Sequence, residues 1–320
     1  MEPTICVTVV TGALGAGKTT LLNRWLGAYA RGDAAVIVNE FGDVGVDGEL
    51  LAERVKELVE LTGGCLCCTT QADLVRALLD LSTRDPAPRR VFIETSGVAS
   101  PAGVVRSITR GPVSRRMRLD GVVTVLDATR LHRLGESLLM AEQAAYADVI
   151  VLSRSDAVID EAARAEAVSL VTRYNPAAAV TWASRGAPID EGDGDLDAIL
   201  ARRVDDVSAP WVFMRSDASS HEQGIESVSL TLDGAVDSDR FSEWVESQVA
   251  LLGGRLMRMK GIVAVADVPV RVVLQGVADQ VEVSFAAPWG DTAPKSRLVL
   301  IGYGLDRDAL TSGFAGCASG

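Results

Sequence analysis

A glycine-rich segment near the amino terminus constrains the fold of this chain more than any other feature. The apolar run Ile5–Val10 is followed almost at once by Gly12–Thr20, with the sequence GALGAGKTT, and then by a helical pattern beginning at Leu21. A strand that passes through a glycine-rich turn into a helix leaves backbone N–H groups pointing at the space before the helix, where phosphate oxygens bind. The segment therefore predicts a P-loop.

The predicted P-loop has a chemical role for each kind of residue it contains. Glycine allows close approach of backbone to phosphate because no side chain intervenes. Lys18 would reach the β- and γ-phosphates, and the Thr19 hydroxyl would ligate Mg²⁺. The predicted nucleotide-binding residues of the loop are Gly12, Gly15, Ala16, Gly17, Lys18, Thr19 and Thr20.

Strand and helix patterns alternate from Thr4 to Trp182. This alternation predicts an α/β fold in which a mostly parallel sheet is flanked by helices, as in P-loop nucleoside triphosphatases. The predicted strands are Thr4–Val10, Ala34–Asn39, Val91–Glu94, Gly121–Leu126, Asp148–Leu152 and Ala178–Trp182. The predicted helices are Thr19–Ala30, Ala72–Leu81, Ser137–Tyr146 and Glu161–Tyr174, the last ended by Asn175-Pro176.

The pattern changes after Arg185–Pro210, a segment rich in Gly, Pro and Asp that we interpret as a linker with one short helix near Leu196–Ala201. Clustered strands without regular helical crossovers then predict a smaller α+β domain with an antiparallel sheet. Its predicted strands are Ser227–Leu232, Gly261–Val265, Val270–Gln275, Val281–Phe285 and Arg297–Ile301, with helices at Asp239–Leu252 and Arg307–Ser312. The predicted domains are residues 1–205 and 206–320.

The composition argues against two classes of partner. With 31 Lys and Arg against 43 Asp and Glu, the formal net charge is −12. A negative net charge disfavours electrostatic binding to nucleic acid or to an anionic membrane. No apolar run approaches the length of a transmembrane helix, and the chain enters a strand without a signal segment. We therefore expect a cytoplasmic protein. The isolated cysteines, Cys6 and Cys317, are interpreted as buried small apolar residues.

A second strand pattern ends in a carboxylate. The apolar run Val91–Glu94 is followed by Thr95-Ser96-Gly97. A strand-end acid at this distance after a P-loop is typical of a Walker B segment, so Glu94 is predicted to lie beside Mg²⁺ or its water. The backbone N–H of Gly97 is predicted to lie near the γ-phosphate.

Three cysteines stand within four positions, at Cys65, Cys67 and Cys68. Thiols this close together can converge on one soft or borderline cation such as Zn²⁺. Three sulphurs leave the fourth position of a tetrahedral site open for Glu40, a water or a side chain of a partner. The incomplete set fits a metal that must leave again better than it fits a purely structural metal.

Together these segments resemble the CobW family of metal-handling P-loop GTPases. The segments that carry the resemblance are Gly12–Thr20, Asn39–Asp47, Cys65–Cys68 after a Gly-Gly pair, and Glu94–Gly97. It extends through Glu142–Asp148 and Asn175-Pro176 to Arg258–Ile262 and Val272–Val277, which are similar to the family's second domain. The resemblance therefore covers nearly the whole chain.

This resemblance implies a GTPase that hydrolyses GTP slowly, binds a transition metal through the cysteine motif and delivers it to a client metalloprotein or cofactor-assembly pathway. It also implies that Lys18 and Thr19 hold phosphate and Mg²⁺, that Glu94 serves the Walker B site and that Glu40 is the acid of a switch segment. The implied cofactors are GTP or GDP, Mg²⁺ and Zn²⁺, with Co²⁺, Ni²⁺ or Fe²⁺ as alternatives to zinc.

One segment departs from the family's pattern. Relatives usually carry Asn-Lys-x-Asp where this chain has Ser153-Arg154-Ser155-Asp156. Asp156 remains, and a carboxylate accepts from both N1–H and the 2-amino group of guanine, whereas adenine presents an acceptor at N1. Replacing Asn by the shorter Ser153 removes about 1 kcal/mol if one hydrogen bond is lost, while Arg154 can still cover the base face. We expect guanine preference to persist with weaker binding.

Histidine is scarce in this chain. Many relatives carry a histidine-rich tract that recruits metal, whereas this chain has only His132 and His221, so we expect no metal reservoir. A second interpretation is a nucleotide-dependent activator that docks on an enzyme and keeps its metal as a structural element. The sequence leaves the metal, the client and the oligomeric state open, with a homodimer among the options.

Overall fold

In a computed structural model of the protein, residues 5–30, 32–39, 57–60, 69–188 and 224–319 are described. They form two compact units, the first containing the described residues up to 170 together with 178–188, and the second containing residues 171–177 and 224–319. The predicted linker helix near Leu196–Ala201 and the predicted domain boundary between residues 205 and 206 lie outside the described residues.

The first unit is built on a sheet in which every neighbouring pair is parallel except the last. Its strands are β1 (Ile5–Thr11), β2 (Ala34–Asn39), β3 (Glu57–Glu60), β4 (Arg90–Thr95), β5 (Met117–Asp127), β6 (Val149–Ser153), β7 (Ala179–Ser184) and β8 (Ala187–Pro188). Their order across the sheet is β3-β2-β4-β1-β5-β6-β7-β8. The first strand in sequence thus lies at the centre of the sheet.

β1 is flanked by strands that come much later in the chain. Val7 lies opposite Val91 of β4, and Val9 lies opposite Val122 of β5. All four side chains are fully buried. A strand buried on both faces is typically a near-continuous apolar run, and the sequence of β1 has this character.

Helices pack against this sheet through apolar side chains. They are α1 (Lys18–Leu26), α2 (Thr69–Ser82), α3 (Ala102–Thr109), α4 (Leu138–Tyr146) and α5 (Glu161–Tyr174). In α1 the apolar positions recur at helical spacing, and Leu21, Leu22 and Trp25 are buried in one core cluster with Phe92 of β4. Ser137 begins α4 by accepting a hydrogen bond from the Met140 backbone N–H at 3.3 Å.

The second unit is a five-stranded antiparallel sheet with two helices. The elements are β9 (Ile225–Asp233), α6 (Ser238–Leu252), β10 (Leu256–Val263), β11 (Val270–Val277), β12 (Gln280–Pro288), β13 (Lys295–Tyr303) and α7 (Arg307–Ala315), and the strand order is β12-β11-β10-β13-β9. Phe241, Trp244 and Phe314 form the aromatic centre of its core, with ring centroids 5.6–6.1 Å apart.

These observations confirm the predicted fold class, an α/β unit with a mostly parallel sheet followed by an α+β unit. Three elements were not predicted: β3, α3 and β8. β3 has four residues and charged ends, so its hydrophobic pattern is too short to predict a strand. β8 is a two-residue strand within the segment that we interpreted as a linker.

Two strands extend further toward the amino terminus than predicted. Each includes a charged residue that is buried against a partner far along the chain. β5 begins at Met117 and includes Asp120, which is paired with Arg90 of β4 at 2.6 Å. β10 begins at Leu256 and includes Lys260, whose Nζ donates to the Ala177 carbonyl at 3.0 Å. A charged residue in a single sequence suggests exposure, and a partner far along the chain cannot be read from it.

Two further expectations concern cysteines and membrane spans. Cys317 is buried and Cys6 is partly buried, and both are free thiols. No helix in the described part of the chain is long and apolar enough to cross a membrane.

Candidate nucleotide-binding site

Most of the predicted nucleotide-binding residues lie at one edge of the parallel sheet. β1 leads into the loop Gly12–Gly17, β4 ends next to Glu94, β6 ends at Ser153 and β7 ends at Ser184. Because these strands are parallel, their carboxyl ends meet on the same side of the sheet. In open α/β sheets this is the side where ligands bind.

The glycines of the predicted P-loop are needed for two different reasons. Gly12, Gly15 and Gly17 have φ angles of 136°, 72° and 100°, a region that other residues rarely adopt. A Cβ on Gly12 would lie 2.1 Å from the Val125 carbonyl oxygen, whereas a Cβ on Gly15 or Gly17 would point into open space. The loop therefore packs against β5 at Gly12 and is open at Gly15 and Gly17, which leaves room for a phosphate group.

Lys18 is held within this loop. Its Nζ donates to the carbonyl oxygens of Gly12 at 3.0 Å and Ala13 at 3.2 Å, and the side chain is buried. Ala16, also buried, donates its backbone N–H to the Ala13 carbonyl at 3.2 Å and tightens the turn. The ammonium group thus lies at the start of α1, where the helix dipole also favours an anion.

Thr19 and Glu94 meet directly. The Thr19 hydroxyl donates to Glu94 Oε1 at 2.7 Å, and Glu94 is only 5% exposed. A hydroxyl and a carboxylate are hard oxygen ligands of the kind that Mg²⁺ prefers. The two side chains that the sequence assigned to magnesium, from segments 75 residues apart, therefore lie side by side.

Gly97 lies against the backbone of the P-loop. A Cβ at Gly97 would come within 2.4 Å of the Leu14 backbone nitrogen, so only glycine fits here. Just before it, Thr95 donates its hydroxyl to Thr11 Oγ1 at 2.8 Å, which joins the ends of β4 and β1. Thr20, in the first turn of α1, is exposed.

The segment Ser153–Asp156 follows β6 at the same edge. Ser153 donates its hydroxyl to the Leu126 carbonyl at 3.3 Å. Arg154 has the left-handed backbone angles φ 57° and ψ 38°. Its Nη2 donates to the Gly15 carbonyl at 3.3 Å, and its Nη1 lies 3.3 Å from Asp127 Oδ2. The guanidinium is therefore tied to the P-loop itself.

Asp156 has a partner that the sequence analysis missed. Ser184, at the end of β7, donates its hydroxyl to Asp156 Oδ1 at 2.8 Å. This hydrogen bond and the backbone N–H of Asp156 lower the pKa of the Asp156 carboxyl from its ordinary value. The sequence contained one signal for Ser184: the predicted strand ends at Trp182, two residues before it. The carboxyl end of a parallel strand is a common place for a residue that contacts a ligand.

The turn after Ser184 also lies against the nucleotide loop. Arg185 and Gly186 have φ angles of 48° and 75°. A Cβ on Gly186 would lie 2.9 Å from the Thr20 carbonyl oxygen. The turn thus approaches the first turn of α1 closely, so Asp156, Ser184 and the P-loop helix are parts of one site.

The predicted metal ligands Glu40, Cys65, Cys67 and Cys68 lie outside the described residues, and so does His221. His132 is exposed on the turn that follows β5. Among the described residues there is no group of three or more His, Cys, Asp or Glu side chains that could hold a metal ion. The transition-metal site remains a prediction from the sequence.

The described strands do show where the two metal-motif segments begin. β2 ends at Asn39, directly before Glu40, and β3 ends at Glu60, five residues before Cys65. Since β3, β2, β4 and β1 are successive neighbours, the end of β3 lies three strand spacings, about 14 Å, from the end of β1. β2 and β3 therefore both end at the edge of the sheet that carries the P-loop.

Sequence comparison gives two family matches that together span most of the chain. The family described as CobW/HypB/UreG, nucleotide-binding domain, matches residues 6–181. The family described as Cobalamin synthesis protein cobW C-terminal domain matches residues 225–318.

Individual relatives match over nearly their full length. The zinc chaperone YjiA of Escherichia coli (strain K12) is 31% identical over 329 residues, which cover 99% of this chain and 99% of that protein. The zinc chaperone CobW of Pseudomonas aeruginosa is 29% identical over 348 residues, covering 96% of this chain and 89% of that protein. A crystal structure of Zn(II)-bound YjiA GTPase from E. coli matches with a TM-score of 0.66 and 27% identity, covering 100% of both chains.

Proposed function

The chain belongs to the CobW family of P-loop GTPases, and from this premise we propose that it is a GTP-dependent metallochaperone that carries zinc to a client protein. Zinc is the cargo, held by Cys65, Cys67 and Cys68 with Glu40 as a candidate fourth ligand. Its relatives YjiA of E. coli and CobW of P. aeruginosa are named zinc chaperones, which supports this choice of metal.

The observation that carries the nucleotide part of the proposal is the Thr19–Glu94 hydrogen bond of 2.7 Å next to Lys18. It joins the P-loop helix to the end of β4 through two oxygen ligands, with an ammonium group close by. In this proposal Thr19 and Glu94 hold Mg²⁺ directly or through its water. The ion would supply positive charge that offsets the charge developing on the phosphate oxygens during hydrolysis.

The residues of the chain itself bind and orient the nucleotide. Backbone N–H groups at the start of α1 donate to phosphate oxygens. The Lys18 ammonium exchanges its hydrogen bonds to the carbonyls of Gly12 and Ala13 for hydrogen bonds to phosphate. Asp156 accepts from N1–H and the 2-amino group of guanine, while the Ser184 hydroxyl orients its carboxylate. The carboxylate is the part of the site that discriminates against adenine.

Coupling between nucleotide and metal is proposed to pass through the ends of β2 and β3. The segment after β2 contains Glu40, the segment after β3 contains Cys65–Cys68, and β4, which ends beside Glu94, is the next strand. A change of phosphate state at Thr19 and Glu94 would therefore act at the same edge of the sheet at which β2 and β3 end. Slow hydrolysis would then time the release of zinc.

The test is the zinc affinity of the protein, measured by chelator competition with and without Mg²⁺ and a non-hydrolysable GTP analogue. We expect nucleotide to change the affinity by about tenfold or more, which corresponds to a coupling free energy of about 1.4 kcal/mol. Cys67→Ala should abolish zinc binding and leave GTP binding intact. Cys6→Ser is the matched control, because Cys6 is a single thiol on β1 and should change neither.

Two outcomes would contradict parts of the proposal. Equal loss of zinc and GTP binding in Cys67→Ala would contradict the separation of the two sites. Zinc that stays bound, at unchanged affinity, through complete hydrolysis and contact with a client would favour a nucleotide-dependent activator with a structural metal. A relative in Dictyostelium discoideum named zinc-regulated GTPase metalloprotein activator 1 makes this the second candidate.

A further inference from the structure

Asp127 is a buried carboxylate at the carboxyl end of β5 to which the proposed function so far gives no role. It is 6% exposed and lies opposite Ser153 in the pairing of β5 with β6. It therefore stands at the nucleotide edge of the sheet, one strand away from the P-loop strand and next to the segment that would recognise the base.

One oxygen of Asp127 is fixed locally. Oδ1 accepts hydrogen bonds from the Thr129 backbone N–H at 3.0 Å and from the Thr129 hydroxyl at 2.6 Å. These bonds orient the carboxylate at the start of the turn after β5. The other oxygen, Oδ2, is then directed at two guanidinium groups, those of Arg154 at 3.3 Å and Arg130 at 3.6 Å.

Arg154 is held from two sides. Its Nη1 lies at Asp127 Oδ2 while its Nη2 donates to the Gly15 carbonyl at 3.3 Å. Only a guanidinium has two separate terminal nitrogens for two such acceptors, whereas the ammonium of lysine has one. The backbone of Arg154 is left-handed, with φ 57°, a conformation that a non-glycine residue keeps when its surroundings fix it.

We propose that Asp127 is a positioning residue for guanine nucleotide binding, which holds the Arg154 guanidinium in the place where it stacks on the base. This inference rests on the proposed function of the same site. It gives a physical reason for arginine at this position. Asp127 and Gly15 together fix the plane of the guanidinium, so the side chain loses less conformational freedom when the base stacks on it. The ion pair thus offsets the weaker contact expected from Ser153.

The matched variants are Asp127→Asn and Arg130→Gln. Asparagine keeps the shape of the side chain and an oxygen for the Thr129 bonds but removes the charge that faces Arg154. Arg130 contacts the same carboxylate oxygen, and its side chain is 52% exposed, so Arg130→Gln removes the other guanidinium without a cost to the core. Circular dichroism would check that both variants are folded.

The readout compares a ligand that has a base with one that lacks it. GDP and inorganic pyrophosphate both contact the P-loop, but only GDP places a base against Arg154. We expect Asp127→Asn to weaken GDP binding by about fivefold, a part of the stacking contribution of an aromatic base, and to change pyrophosphate binding by less than about twofold. Arg130→Gln should change neither affinity.

A double-mutant cycle separates positioning from a general electrostatic effect. Arg154→Gln should weaken GDP binding, and adding Asp127→Asn to it should cause no further loss, because Asp127 acts through Arg154. Additive losses in the double variant would overturn the inference, as would an equal loss for pyrophosphate or no loss for GDP in Asp127→Asn. A wild-type protein that binds pyrophosphate but not GDP would instead overturn the proposed function, and the inference with it.

Discussion

The two units use polar side chains in different ways. In the first unit three contacts among the proposed nucleotide-binding residues, Lys18 with the P-loop, Thr19 with Glu94 and Ser184 with Asp156, lie at one edge of the sheet. In the second unit, Asp237 and Asp306 each accept a hydrogen bond from a backbone N–H at the start of a helix. These contacts stabilise the starts of the two helices.

The difference follows from the direction of the strands. A parallel sheet brings all its carboxyl ends to one edge, so side chains from distant segments converge there. In an antiparallel sheet the ends alternate between the two edges, and successive loops are separated. The parallel unit can therefore assemble a site from many segments, whereas the antiparallel unit is better suited to a stable apolar core.

The largest expected effect comes from removing a buried phenylalanine in either unit. Phe314 and Phe92 are 1% and 0% exposed, so Phe314→Ala and Phe92→Ala should each lower the free energy of unfolding by about 3–5 kcal/mol. Only Phe92→Ala should also weaken GDP binding, since Phe92 lies two residues before Glu94 on β4. Hydrogen exchange, followed separately in the two units, together with GDP titration would measure both quantities.

The contrast between the two units would be contradicted if Phe314→Ala weakened GDP binding as much as Phe92→Ala does. That result would mean that the core of the second unit also supports the nucleotide site. Phe314→Leu, which keeps most of the apolar volume, is the milder control for the second unit.

A smaller effect is expected from adding one methyl group to a glycine in each unit. A Cβ on Gly97 would lie 2.4 Å from the Leu14 backbone nitrogen, whereas a Cβ on Gly254 would meet nothing within 4 Å. Gly97→Ala should cost about 1–3 kcal/mol of stability, the usual range for overpacking, and weaken GDP binding by displacing the P-loop. Gly254→Ala should change neither the thermal midpoint nor GDP binding measurably. Normal GDP affinity in Gly97→Ala would show that the P-loop tolerates this displacement.

The smallest effect concerns the charge of Asp156. The Ser184 hydroxyl is the main cause that lowers the pKa of the Asp156 carboxyl, so the native state favours the carboxylate. The resulting stability is present above the unfolded-state pKa of aspartate, about 3.9, and is lost as the pH falls through the lower native pKa. Ser184→Ala should raise the pKa of Asp156 toward its ordinary value. The loss of GDP affinity on acidification should therefore begin at a higher pH than in the wild type.

An NMR titration of the Asp156 carboxyl carbon in wild type and Ser184→Ala would measure this shift directly. Ser247→Ala is the control in the second unit, where the serine hydroxyl donates to the Trp244 carbonyl and contacts no carboxylate among its described hydrogen bonds. An unchanged pKa in Ser184→Ala would mean that the backbone N–H of Asp156 and the charges of Arg154 and Arg185 are enough to hold the carboxylate.

Sequence patterns predicted the fold class and most of the strands because these depend on local periodicity. β2 and α5 were predicted with the bounds that the structure has. The P-loop and Glu94 were predictable because the spacing of a motif is contained in the sequence itself. Their roles in binding nucleotide and Mg²⁺ stay predictions, as do those of Glu40 and the three clustered cysteines.

The contacts that the sequence did not reveal all join segments far apart in the chain. Asp127 with Arg154, and Ser184 with Asp156, meet only because β5, β6 and β7 are neighbours in the sheet. Arg90 and Asp120 meet because β4 and β5 lie on either side of β1. A single sequence shows which residues carry charge, but the strand order decides which of them become partners.

The central place of β1 also affects how the protein is made. Of the described strands, β1 leaves the ribosome before the others, yet its two neighbours in the sheet, β4 and β5, end at Thr95 and Asp127. At a synthesis rate of 5–20 residues per second, about 6–23 s pass between the emergence of β1 and that of β5. Until β4 emerges, the nascent chain exposes an apolar strand with both edges unpaired, and one edge stays unpaired until β5 follows. β1 is therefore a segment that a ribosome-associated chaperone would need to shield.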